Sequence, residues 1–159
     1  MLEFKTPQIE DKAWVDQCFK HLKTMNCDYT FGNMFVWSTE YSTKICRFKD
    51  FFICSWGMGK ETNFGIPVGK GDFKEAVEEV IKYAKANDIM PRFYGVTEAY
   101  VEMLNENFPD AFQFLYDESY GDYIYEVEKM ASLKGKKYHG KRNHITNFKK
   151  NNPNWSFET

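Results

Sequence analysis

Nowhere in this chain do apolar residues run long enough to cross a bilayer, and no motif announces a metal or a nucleophile. The N-terminus, Met1-Leu2-Glu3-Phe4-Lys5, lacks the cationic stretch followed by an apolar one that marks a secretory leader, so a cytoplasmic location is expected. No cysteine of the four, at 18, 27, 46 and 54, stands two residues from another, which removes the usual support for zinc or thioredoxin-like chemistry. His21, His139 and His144 have no Ser, Cys or Asp at a diagnostic spacing, so no catalytic residue is assigned and no metal is expected. Internal repeats and low-complexity tracts are absent as well.

What is present is aromatic residues, at 18% of the 159 residues, and they carry enough buried area for a single packed domain. The net charge of −2 hides a division along the chain. Residues 129–150 hold Lys129, Lys134, Lys136, Lys137, Lys141, Arg142, Lys149 and Lys150 without one acid, whereas residues 1–128 hold 13 basic and 22 acidic residues. Such asymmetry suggests that one end of the molecule meets an anionic partner, or packs on the acidic remainder of its own fold.

Hydrophobic spacing gives the element order. Helices are expected over residues 10–25 and 29–41, then a hairpin of 44–48 and 51–56, and a strand over 64–68. Phe73, Ala76, Val77, Val80, Ile81 and Ala84 mark the most regular helix, and Asp72 with Glu75 has capping-box spacing before it. A strand over 92–96 and a helix over 98–108 follow, then strands over 112–116 and 123–127 about a turn at Ser119-Tyr120-Gly121-Asp122. A basic helix from Lys136 to Lys150 ends at Asn151-Asn152-Pro153. Early strands are antiparallel neighbours and later ones are joined through helices, so the fold class is α+β, a mixed, largely antiparallel sheet flanked by helices. In the hairpin Cys46 should oppose Ile53, and Cys54 should oppose Ile45. The two sulfurs then face opposite sides of the sheet, as reduced, buried thiols.

Two places could carry binding chemistry. Gly69-Lys70-Gly71 lies between a strand and the best helix, where free N–H groups could hold an anion such as the coenzyme A pyrophosphate. Asp72 competes for those same N–H groups, so acetyl-CoA is disfavoured as a cofactor. The second place is the basic helix. Lys134, Lys137, Lys141 and His144 form one stripe, and Tyr138, Arg142 and Ile145, with Phe148 beside them, form another. An Arg among apolar neighbours calls for a carboxylate or phosphate partner. Lys137, Lys141, Arg142, Asn143 and His144 are therefore the expected substrate or polyanion contacts. Tyr123 and Tyr125 share a strand face, where they pack or orient a substrate.

Three blocks, Asp28 to Trp37, Ile66 to Asp72, and Gly121 to Tyr125 with Leu133 to His144 and Phe148, carry a resemblance. They resemble a bacterial family similar to the cytosolic C-terminal domain of phosphatidylglycerol lysyltransferases. The resemblance implies an N-acetyltransferase-like fold, doubled in relatives. The chemistry it implies is transfer of an aminoacyl group from aminoacyl-tRNA to an amine or a lipid hydroxyl. Relatives continue into a second domain where this sequence reaches Thr159. Residues 1–133 are thus expected to be the acyltransferase-like domain, and 134–159 a basic connector toward a second domain or a self-association surface. The alternatives are a coenzyme A-dependent N-acetyltransferase using Gly69-Lys70-Gly71, and a non-catalytic docking module.

Overall fold

Residues 44–56 fold as their alternation requires. In a computed structural model describing residues 2–22, 24, 26–118, 121 and 123–158, strands β1 (Lys44–Phe48) and β2 (Phe51–Trp56) form an antiparallel hairpin. Its register pairs Ile45 with Cys54 and Cys46 with Ile53, as the two-residue turn dictates. Cys46 joins a core cluster with Ile53 and Phe64, while Cys54 packs against the opposite cluster containing Ile45 and Phe52. All four cysteines are free. Burial pushes the Cys54 thiol up to about 12.

β2 is the spine of the sheet. It pairs antiparallel with β1 on one side, and with β3 (Asn63–Gly65) and β4 (Val68–Gly69) on the other. The expected strand over 64–68 is split in two because Pro67 has no N–H to give the ladder. Ser55 pairs with Phe64 and Phe52 with Val68, so four steps along one strand oppose three along the other. The extra residue makes a bulge. β3 then runs parallel to β5 (Phe93–Tyr94) through the crossover helix α3 (Phe73–Ala86), which completes the mixed sheet expected from the sequence.

Helices cover both faces. Phe73, Ala76, Val77, Val80 and Ala84 of α3 are buried, the stripe read from their spacing. On the other face lie α1 (Lys12–Phe19) and α2 (Phe31–Trp37), with Val15, Cys18, Phe31 and Met34 packed on Ile45 and Phe52. Both are shorter than expected. α1 gives way to a turn at Lys20, and α2 starts only after Thr30, whose hydroxyl accepts the Asn33 N–H at 3.4 Å. Helix α4 (Glu98–Asn107) adds Leu104 to the core under α3.

The strands expected over 112–116 and 123–127 do not form. Phe112 packs its ring against Phe93 and Phe108 instead of entering a ladder. Val127 opens helix α5 (Val127–Ser132). The turn placed at residues 119–122 lies outside the described residues, Gly121 apart. The chain divides into two compact units, Met1–Tyr116 and Asp117–Thr159. The second holds α5 and the basic helix α6 (His139–Asn151), preceded by a 3-10 turn at Lys136–Tyr138. Among the described residues no helix is long and apolar enough to cross a membrane.

Candidate functional site

The loop Gly69-Lys70-Gly71 sits at the end of β4, and its glycines have structural reasons to be there. A Cβ on Gly69 would collide with the Asp50 carbonyl oxygen, because β4 presses on the start of β2. Gly71 has φ +136, and a Cβ there would lie 3.2 Å from the Phe51 ring. The Lys70 N–H donates to Asp50 O at 3.4 Å. Asp72 caps α3, its Oδ1 accepting the Glu75 N–H at 3.0 Å. The reciprocal half of a capping box is absent, since the Glu75 carboxylate pairs with Lys49. The Lys70 and Glu75 N–H groups are thus engaged within the fold, and Asp72 sets a carboxylate at the helix start, where a pyrophosphate would meet like charge.

The block Asp28 to Trp37 is held by its own polar residues. Asn26 Oδ1 accepts the Asp28 N–H at 2.7 Å, and Asn33 Nδ2 donates to Asp28 Oδ1 at 3.0 Å. Tyr29 reaches across to β5, its hydroxyl donating to Gly95 O at 3.1 Å. Burial raises the pKa of that hydroxyl, so it remains a donor.

The second unit builds the basic surface. α5 ends on Leu133 in the left-handed conformation (φ 46), followed by Gly135 at φ +97. The Arg142 guanidinium donates through Nη1 to the Leu133 carbonyl, and to Gly135 O at 2.9 Å. No carboxylate is paired with this Arg among the described residues. It satisfies the carbonyls that a helix C-terminus leaves open, and its charge suits the negative end of α5. Leu133 and Tyr138 are buried at this turn. Arg142 therefore fixes where α6 begins.

α6 itself is exposed along most of its length. Its first turn contains no acid, and no side chain caps it. Among the described residues Lys134, Lys136, Lys137 and Lys141 form no ion pair with a carboxylate, while Lys129 pairs with Glu126 at 2.7 Å. Lys137 Nζ lies 5.9 Å from the centre of the Tyr138 ring, and Lys141 Nζ lies 5.2 Å from that of Tyr125. Asn143 Nδ2 contacts His139 Nε2 at 3.3 Å. His144 is exposed. One helix thus carries Lys141, Arg142, Asn143 and His144, with Lys137 in the turn before it. Gly69, Lys70 and Gly71 belong to the other unit. Spacing did not reveal the aromatic partners of the lysines, because Tyr125 is distant in sequence and was assigned to a strand.

Among the described residues no group of His, Cys, Asp and Glu side chains is placed to hold a metal ion. The family described as phosphatidylglycerol lysyltransferase, C-terminal, matches residues 19–159. A crystal structure of a conserved protein of unknown function from Bacteroides thetaiotaomicron is 31% identical, with a TM-score of 0.78. The match covers 98% of this chain and 53% of that one, so this chain spans about half the length of that relative. No curated protein matches. The mixed sheet flanked by helices, shared with that relative, is the N-acetyltransferase-like arrangement.

Proposed function

The chain belongs to the phosphatidylglycerol lysyltransferase C-terminal family, and on that premise we propose that it forms one half of an aminoacyltransferase. The reaction is transfer of an aminoacyl group from aminoacyl-tRNA to an amine or a lipid hydroxyl. Residues 1–133 supply the acyltransferase-like body. Residues 134–159 supply a connector that meets the tRNA, or another polyanion, beside a second domain or a second copy of the chain. The observation that carries the reading is the start of α6. Cations gather there at the end of a helix where the backbone dipole is already positive, with no acid and no cap to offset them. That arrangement costs stability unless an anion arrives.

Lys137, Lys141, Asn143 and His144 are the proposed contacts, and Arg142 is the residue that positions them. Such a surface contributes by holding the activated ester near its acceptor, and by placing positive charge where the tetrahedral intermediate develops a negative one. The test is binding of aminoacyl-tRNA across a salt series. Each phosphate engaged contributes about −0.7 to −0.9 to the slope of log affinity against log salt. Replacing Lys137 and Lys141 together by Glu should remove most of the binding. Binding that ignores both salt and this double variant sinks the reading.

The exposure of Ile145 and Phe148 favours a second reading, a docking module that self-associates through this face. Sedimentation over a concentration series separates the two. A monomer that binds tRNA supports the first, and a dimer that ignores tRNA supports the second.

A further inference from the structure

Residues 141–149 of α6 bring together cations and rings in a pattern that the charge alone does not explain. Lys141, Ile145, Phe148 and Lys149 fall at i, i+4, i+7 and i+8, one face of the helix. At the N-terminal end of that face Lys141 Nζ sits over the Tyr125 ring. At the other end Lys149 Nζ lies 4.9 Å from the centre of the Trp155 ring, and Phe148 meets Trp155 edge-on at 6.4 Å. Trp155 is returned to the helix by the turn after it, where the Asn152 amide donates to Phe148 O at 2.9 Å and the Trp155 N–H donates to Asn152 O at 3.1 Å. These rings are not core: Tyr125 is 45% exposed, Phe148 53% and Trp155 45%.

We infer that this face binds unpaired nucleobases, with Tyr125 and the Phe148–Trp155 pair as two stacking platforms and Lys141 and Lys149 as their phosphate contacts. The inference rests on the polyanion reading above and names the form of nucleic acid it takes, a single strand. Seven residues of helix separate the platforms' anchors by about 10 Å, so each ring serves a different base. A duplex keeps its bases stacked on one another and cannot offer them to these rings. An apolar protein surface would have to strip water from the lysines lying over those rings, in a segment without an acid from 129 to 150. A single strand has the complementary parts, π faces for the rings and phosphates for the lysines.

The experiment compares three probes with the full chain by fluorescence anisotropy or competition: a short unstructured oligoribonucleotide, an abasic oligonucleotide of equal length, and inorganic polyphosphate. The base-bearing strand should bind at least about 5-fold tighter than the abasic one, and Tyr125→Ala or Trp155→Ala should each weaken it by about 5- to 150-fold, the range that loss of one stacked base carries. Neither change should alter abasic binding or the salt slope. Tyr125→Phe and Trp155→Phe keep a ring in place, and should retain most of the affinity. If the ring-keeping variants lose as much as the alanine ones, stacking is not the cause and the inference falls. Equal affinity for base-bearing and abasic strands overturns it while leaving the polyanion reading standing. No binding of any probe overturns both. A wild-type dimer that Trp155→Ala dissolves and the oligonucleotide leaves intact assigns the face to a second copy, which also overturns it.

Discussion

Helix α3 begins on Asp72, whose carboxylate takes the Glu75 N–H, and it lays five buried residues on the sheet. Helix α6 begins on Tyr138 without a side-chain cap, collects lysines about its positive end, and has no buried residue of its own. The first obeys the rules for a stable helix, and the second breaks them at the end where an anion would repair the fault. Stability in this chain is thus concentrated in the first unit, in residues placed by burial. The second unit spends its charge on a surface. A substitution in the first should be read by denaturation, and one in the second by binding.

The harshest test of that contrast is Phe52→Ala. Phe52 is fully buried between α1, α2 and the sheet, and its loss should cost about 3–5 kcal/mol in chemical denaturation. A change under about 1 kcal/mol would place the stabilising core elsewhere.

Asp11 comes next. It is buried and accepts from Lys5 Nζ at 2.7 Å, Trp14 Nε1 at 2.9 Å and the Gln8 N–H at 2.9 Å. Burial works against its charge, but these donors and the Lys5 charge outweigh it, so its pKa lies below the usual carboxylate value. The stability it contributes is present above about pH 4, the unfolded value, and is lost as pH falls through the lower folded one. Asp11→Asn should cost about 2 kcal/mol at neutral pH and flatten the loss of stability in acid. An unchanged acid profile would remove Asp11 from this role.

Arg142→Ala should cost about 1–2 kcal/mol within the second unit, because it strips two carbonyls of their donor. The sharper readout is amide exchange, faster in α5 and the start of α6 and unchanged in α3. Uniform acceleration would mean that the two regions do not open separately.

Asp72→Ala should cost about 1 kcal/mol, the usual loss for an N-cap. Equal denaturation midpoints for variant and parent would show that the α3 cap is not what distinguishes the two helices. The smallest loss belongs to Lys137→Glu with Lys141→Glu, which puts acids in place of cations at the positive end of α6 and should leave stability unchanged or raise it by up to about 1 kcal/mol. A large loss there would mean the stripe is structural, and would erase the comparison.

The sequence was most legible where one physical rule dominated. The period of 3.6 placed α3, its cap was visible in Asp72, and the turn length set the register of Cys46 against Ile53. It was least legible where aromatics alternate without a partner strand. Phe112 and Tyr125 read as strand residues, yet one packs its ring on Phe93 and Phe108, and the other lies beneath Lys141. Periodicity reports which side of an element is apolar, but not whether a neighbouring edge exists to pair with it. Arg142 was legible only in part. Spacing set it among apolar neighbours and in want of a carboxylate or phosphate, while the carbonyls of Leu133 and Gly135 become partners only once the chain turns through a left-handed residue. The candidate contacts Lys137, Lys141, Asn143 and His144 were visible as charge and polarity, while the rings beside them were not.

The tie from Tyr29 to Gly95 has a practical use. Cys27 stands two residues before it and is the exposed thiol of the four, the others being buried or half-buried. A maleimide dye or spin label offered to the native chain should react there first, without cysteine being removed elsewhere. The label would then sit at the start of the 3-10 turn Cys27–Tyr29, in the loop between α1 and α2 that Tyr29 ties to Gly95. Its signal would report in real time whether that loop shifts when a ligand is added, a measurement the distribution of thiols makes available at no cost in mutagenesis.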